Sequence, residues 1–251
     1  MQLMLSRVKF SQHRYEWVAF TMTMICFAIN VSKPVHLDET NFLSLLNGDF
    51  IGPHNTEINW SGKTEKAVEV LSNPPGIAWY LWFFRGSAIE ILRALMLPWA
   101  FLTLIGGRWL SRQLGANPHR MTLIISCFPL YALAVGGLMP DMMLWALSLL
   151  GLAGVMSGRR TYLWAFILGL AGLARYSGIC MIPLVLLLLW RQQRYKELLP
   201  TLLVSTMPML LLGAHDFYSY GEWHFGSMIA FQGVSLSVAQ LWTKLLAIVG
   251  F

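Results

Sequence analysis

The sequence predicts an all-α, polytopic transmembrane helix bundle of about seven to eight spans, and three observations carry that reading. Hydrophobic residues make up 56% of the 251 and charged residues only 12%, well under the ~25% charge of a typical soluble domain. Mean hydropathy is +0.56, so a water-soluble globule of this size would expose large apolar patches and aggregate. Apolar runs recur along the chain, separated by short basic segments. Together these exclude an ordinary soluble enzyme, a disordered chain and a secreted disulfide scaffold.

The first apolar run begins near Trp17, behind Arg7, Lys9 and Arg14. No small-residue cleavage site precedes Asn30-Val31-Ser32-Lys33-Pro34, so the run reads as a retained signal-anchor helix. Spans are placed at 16–32, 89–109, 121–139, 142–157, 162–173, 178–190 and 198–214, with a partial last one at 237–251. A bilayer asks for about 20 apolar residues, and the shorter runs cross by snorkelling or local thinning.

Charge gives the sidedness. With the N-terminus inside, the segments 1–16, 108–120, 158–161 and 191–197 hold Arg7, Lys9, Arg14, Arg108, Arg112, Arg120, Arg159, Arg160, Arg191, Arg194 and Lys196, eleven of the eighteen cations. Of the twelve acids only Glu16 and Glu197 lie there. That asymmetry is the positive-inside pattern. It also accounts for the net charge of +6 without a nucleic-acid partner.

Residues 162–190 test the count. A single helix would put Arg175 at mid-membrane and Arg191, Arg194 and Lys196 outside. Two short helices turning at Arg175-Tyr176-Ser177-Gly178 remove both objections. Each is shorter than the hydrocarbon core, so the turn should lie in a recess shielded by protein.

The first outer loop, within 33–88, is long enough to be functional. Glu39 to Phe50 has Phe42, Leu45, Leu46 and Phe50 near helical spacing, which predicts a short juxtamembrane helix on the membrane surface. Asn73-Pro74-Pro75-Gly76 reads as a rigid turn, followed by an interfacial aromatic segment with Trp79, Tyr80 and Trp82. The chain is treated as one domain over 1–251, with 215–251 forming an outer loop and the partial last span. Cys26, Cys127 and Cys180 lie in apolar stretches and read as small buried hydrophobes.

Few groups carry chemistry. Asp38-Glu39 follows the first span: a partly desolvated acid there can act as a general base, and the same pair can simply cap a helix. Asp141, after Pro140, admits the same two readings on the same outer side. Arg175 is an ionisable group at membrane depth, suited to bidentate contact with phosphate or carboxylate, or to snorkelling. Arg93, near the start of the second span, reads from its position as an interfacial snorkeller. His36, His54, His215-Asp216 and His224 share the outer loops, but no tight ligand spacing makes them a metal site. No cofactor is assigned. Walker, dinucleotide and Gly-x-Ser-x-Gly motifs do not occur in the chain.

The order of these motifs resembles a known family. The Asp38-Glu39 pair is followed by Gly48-Asp49-Phe50 and Pro53, then Asn73-Pro74-Pro75-Gly76 and an Arg93-bearing span. Met139-Pro140-Asp141 comes next, then a Gly169-to-Tyr176 turn before Ile182-Pro183. From about residue 15 to 215 this is similar to the polyprenyl-phosphate-sugar-dependent glycosyltransferases of the GT-C fold. Within them it is nearest the branch of protein O-mannosyltransferases and lipid A aminoarabinose transferases. Relatives there are often longer, so the chain reads as lacking their usual C-terminal part.

The resemblance implies an inverting transfer at the extracytoplasmic face of a bacterial inner membrane, with the N-terminus cytoplasmic. Its donor would be a polyprenyl-phosphate-linked sugar drawn from among the membrane lipids, and its acceptor a glycan, lipid or protein. It implies Asp38 as base, with Glu39 and Asp141 organising the site. Arg175, Tyr176 and Arg93 would bind the donor phosphate, and Asn73, Pro74, Pro75, His215 and Asp216 would line the substrate groove. Two other readings stay open: a non-catalytic lipid-binding or scaffold membrane protein derived from such an enzyme, and a small-molecule transporter.

Overall fold

The computed structural model of the chain describes residues 2–60 and 62–231. The partial span expected at 237–251 lies outside them. The described residues are mostly helical. Helix α1 runs Gln2–Val31, further back into the basic segment than the apolar run alone predicts. Pro34 lies just beyond its end and disfavours continued helix.

Helix α2, Leu37–Leu46, forms where the amphipathic spacing predicts a helix, but its setting differs. Phe42, Leu45 and Leu46 are buried among Ile58, Leu71, Ile77, Leu81, Leu92, Met96 and Leu138. The apolar side of α2 is thus the core of the loop region, and the expectation of a helix lying free on a membrane surface is corrected. Phe50 falls beyond the helix and is exposed.

The loop also contains a small hairpin that hydrophobic spacing did not predict. Strands β1 (Glu57–Trp60) and β2 (Lys63–Lys66) pair antiparallel, with Ile58 opposite Glu65. The Asn59 side-chain oxygen accepts the Gly62 N–H at 3.1 Å, and Gly62 supplies the left-handed φ of +82° that such a turn needs. A one-turn helix α3 (Ala67–Val70) follows, then α4 (Gly76–Leu81), which opens directly after the two prolines. Tyr80 of α4 donates to the Leu95 carbonyl at 2.7 Å, and Trp79 to the Phe50 carbonyl at 2.9 Å.

Helix α5 spans Ile89–Gln113. The segment expected as a single span at 121–139 is broken into α6 (Pro118–Ser126) and α7 (Pro129–Ala134). Pro129 has no N–H to give the preceding turn and holds Phe128 extended at ψ 125°. Asn117 caps α6, accepting the His119 and Arg120 N–H groups at 3.0 and 3.1 Å.

Helices α8 (Pro140–Met156) and α9 (Thr161–Ala174) follow. The expected break comes at Arg175, which is extended (φ −150°, ψ 141°), and a short 3₁₀ segment leads into α10 (Met181–Arg191). Helix α11 (Leu198–Tyr220) ends at Gly221, whose φ of +78° terminates it in the left-handed conformation. Helix α12 (His224–Phe231) returns toward the loop.

Four helices form the frame. α8 packs between α5 and α9, and α9 packs on α11. Glycines permit the close crossings: Gly106 faces the α8 backbone at Leu150, and Gly169 faces the Ser205 carbonyl and Pro208 of α11. A side chain at either position would meet backbone that cannot move aside.

Among the described residues, Ile89–Gln113 and Tyr195–Tyr220 are long and apolar enough to cross a bilayer. Pro140–Met156, Thr161–Ala174 and Tyr176–Arg191 are apolar but shorter. Large apolar side chains such as Trp17, Ile105, Leu187, Trp190, Leu203 and Leu210 are exposed on α1, α5, α10 and α11. The three cysteines are free; Cys127 and Cys180 are exposed rather than buried, which corrects that expectation.

Candidate functional site

Glu39 and Arg93 are both 0% exposed and joined at 2.6 Å. Their hydrogen bonding is complete. Arg93 Nε and Nη2 donate to the two Glu39 carboxylate oxygens at 3.2 and 2.6 Å. Nη1 donates to the Val31 and Lys33 carbonyls at 2.8 and 2.7 Å, and Nη2 also to Pro34 at 3.3 Å. All five guanidinium hydrogens are therefore committed. Glu39 Oε1 also accepts the Leu138 N–H at 2.9 Å, and Oε2 the His36 N–H at 2.8 Å. Burial alone would raise the Glu39 carboxyl, but Arg93 and these backbone donors outweigh it and hold the group below its usual range.

This geometry revises two assignments. Arg93 has no hydrogen left for a donor phosphate, and Glu39 has no oxygen free for a reacting proton. Instead the pair ties three segments together: the end of α1, the start of α2, and the loop just ahead of Asp141. Asp38 stands beside Glu39 in the first turn of α2; its side chain lies outside the described residues.

The second charged pair is open. Arg175 Nη1 meets Asp141 Oδ1 at 2.5 Å, with side-chain exposures of 41% and 25%. Asp141 is in the first turn of α8, behind Pro140 at the helix start. Arg175 is released from helical geometry at the end of α9. Among the described residues its Nε and Nη2 have no partner.

The Asn73-Pro74-Pro75-Gly76 turn is pressed onto this helix end. A Cβ on Gly76 would collide with the Leu173 carbonyl, so only glycine allows the approach. The result is a recess of about 270 Å³ lined by Ser72, Asn73, Arg175, Tyr176, Ser177, Phe225 and Met228. Of the expected groove residues, Asn73 lines it. Pro74 and Pro75 shape the turn behind it and are not among its walls.

Behind the recess is a buried polar cluster. Tyr176 Oη and His224 Nδ1 are 2.6 Å apart, and His54 Nε2 donates to the Asn73 carbonyl at 3.0 Å. The two imidazoles are fully buried, with centroids 4.7 Å apart. Burial, reinforced by His224 and His215 nearby, pushes His54 down to about 3, and burial lowers His224 as well. Both rings are therefore neutral at pH 7.

His215 and Asp216 do not line the recess, contrary to expectation. His215 Nε2 donates to the Ile51 carbonyl, and its ring stands edge-on to Trp79 at 5.2 Å. Asp216 is buried beneath it, 3.4 Å from His215 Nδ1. His215 pins α11 to the first loop. Among the described residues, no group of three or more His, Cys, Asp or Glu side chains is arranged to hold a metal ion.

Sequence reasoning missed Ser72, Ser177, Phe225 and Met228 as walls of the recess. Ser72 and Ser177 adjoin motifs it did single out. Phe225 is signalled only by the Gly221 break, followed by the aromatic run Trp223-His224-Phe225. No protein-family model, curated protein or solved structure matches the chain.

Proposed function

We propose that the protein is a multi-pass membrane glycosyltransferase that moves a sugar, with inversion, from a polyprenyl-phosphate donor to an extracytoplasmic acceptor. The observation that carries the reading is the recess walled by Arg175 and Asn73, with Asp141 paired to that Arg175. These are three of the separate motifs whose order resembles the GT-C transferases. The two bilayer-length helices, the three shorter apolar ones and the exposed apolar side chains support a membrane setting. The basic segments support a cytoplasmic N-terminus; the bacterial inner membrane and the seven to eight spans belong to the proposal.

In this reading Asp38 takes the proton from an acceptor hydroxyl. The freed oxygen lone pair attacks the anomeric carbon from the face opposite the phosphate. The bond from that carbon to the phosphate oxygen breaks, and its electron pair leaves on the polyprenyl phosphate. Arg175 offers Nε and Nη2 to that growing charge, which is stronger stabilisation in a recess than in water. Asp141 holds the guanidinium by Nη1, so the cation is aimed before the donor arrives. The Glu39–Arg93 pair sets the start of α2 beside Asp38.

The test is transfer of radiolabel from polyprenyl-phosphate sugars in membranes containing the full chain. Asp38→Asn is expected to abolish transfer with donor binding retained. Arg175→Ala is expected to weaken donor binding by roughly tenfold or more, the worth of a charge-assisted hydrogen bond. Full transfer by Asp38→Asn would remove the base. Unchanged donor affinity in Arg175→Ala would remove the phosphate site.

A further inference from the structure

The recess beside Arg175 has a mixed lining. Arg175, Asn73, Ser72 and Ser177 are its polar members, and Tyr176, Phe225 and Met228 its aromatic and apolar ones. The Tyr176 and Phe225 rings lie 4.8 Å apart, inclined at 52°. Trp223 supports Phe225 from 5.4 Å.

The wall is also anchored. Tyr176 is tied by its hydroxyl to His224, the first residue of α12, and Phe225 is the next residue on that helix. His224 packs against His54 with the rings tilted by 35°, and His54 holds the Asn73 carbonyl. Asn73 and Tyr176 are thus joined behind the recess through two buried imidazoles. An arrangement fixed before ligand arrives loses little entropy on binding.

We propose that this aromatic wall seats the sugar ring of the donor, with Phe225 against its C–H face and Tyr176 bracing Phe225. The proposal rests on the transferase reading above. An aromatic face carries negative potential and a pyranose C–H face is weakly positive, so the two attract while water is displaced. Asn73, Ser72 and Ser177 supply donors and acceptors for the ring hydroxyl groups. The volume of about 270 Å³ is just below the ~300–1,000 Å³ range of drug-sized pockets and has room for one sugar ring. An isoprenoid tail would use the apolar lining and leave the polar groups unpaired.

The experiment compares binding of polyprenyl phosphate, with and without a single attached sugar, to the full chain in nanodiscs. Wild type is expected to prefer the glycosylated lipid by about tenfold, from stacking plus the added hydrogen bonds. Phe225→Ala should cut that preference to about twofold while its affinity for the bare lipid phosphate stays the same; Phe225→Tyr should keep the preference. An undiminished preference in Phe225→Ala overturns the sugar seat. So does an equal loss for both lipids, which would put the tail on this wall. Equal wild-type affinity for both lipids rejects the seat but leaves the phosphate role of Arg175 intact. Binding of neither lipid by wild type rejects the transferase reading itself. Phe225→Tyr and matched unfolding temperatures separate these outcomes from misfolding.

Discussion

Removing either partner of the Glu39–Arg93 pair leaves a charge in a place that water does not reach. Glu39→Gln strands the guanidinium, and the expected cost is about 3–5 kcal/mol. The double variant Glu39→Gln/Arg93→Met should lose less than the two single losses summed, because neither charge is then stranded. The pH dependence follows from the lowered Glu39 carboxyl. Its stabilisation is complete above the unfolded-state value of ~4.3 and is lost as pH falls through the lower folded value. Thermal unfolding in detergent should therefore show a wide gap between wild type and Glu39→Gln at pH 7 that narrows in acid. A gap of under 1 kcal/mol at pH 7 would contradict the buried pair. Each of these residues was visible in the sequence, but their partnership was not. Glu39 and Arg93 are 54 positions apart, and spacing says nothing about which distant charges meet. Position makes Arg93 an interfacial snorkeller and the motif resemblance makes it a phosphate ligand; neither points to Glu39.

At the scale of elements, the legible features were those with local causes. The start of α8 at Pro140, with Asp141 in its first turn, and the break at Arg175 follow from residues adjacent in sequence. The burial of α2, the hairpin at 57–66 and the split of the third apolar run at Pro129 were less legible. Apolar spacing gives the face of a helix but not whether lipid or protein will cover it. Within the candidate site, Arg175, Tyr176, Asp141 and Asn73 were found from motifs. Phe225 and Met228 were not, because α12 reaches the recess only through tertiary packing. The contact that builds the recess is the seat of Gly76 on the α9 end. Gly76→Ala places a methyl against the Leu173 carbonyl, a backbone atom that cannot yield. The turn must move by a fraction of an ångström or more, carrying Asn73 with it. Misplacement on the ångström scale costs up to about 10²-fold in rate. Gly76→Ala is expected to lower sugar transfer by one to two orders of magnitude with the protein still folded, as read by transfer assay and size-exclusion profile together. Wild-type transfer in that variant would show that the turn does not define the site.

For the whole molecule, charge and packing make independent statements about sidedness. In the proposed membrane setting, the positive-inside pattern assigns 108–120, 158–161 and 191–197 to one side of the bilayer. Those segments include the α5–α6, α8–α9 and α10–α11 connections. The opposite ends of the same helices converge on the first loop: the Arg93 end of α5, the Asp141 end of α8, the Arg175 end of α9 and the His215 end of α11. Packing thus gathers the candidate site at the end of the frame away from the cations. Nothing in the positive-inside pattern requires this, since cation counts constrain loops and say nothing of where acids and a recess assemble. If the frame sits in a bilayer as proposed, reagents from outside reach one end and not the other. With Cys26, Cys127 and Cys180 replaced by Ser, Lys63→Cys in the hairpin should react with a membrane-impermeant maleimide in intact cells. Arg159→Cys, between α8 and α9, should react only after the membrane is opened. Labelling of Arg159→Cys in intact cells would invert the orientation and put the recess on the cytoplasmic side, where a different lipid-linked donor pool would have to serve it. Labelling of both sites in intact cells would remove the bilayer between them, and with it the membrane setting on which the transfer mechanism depends.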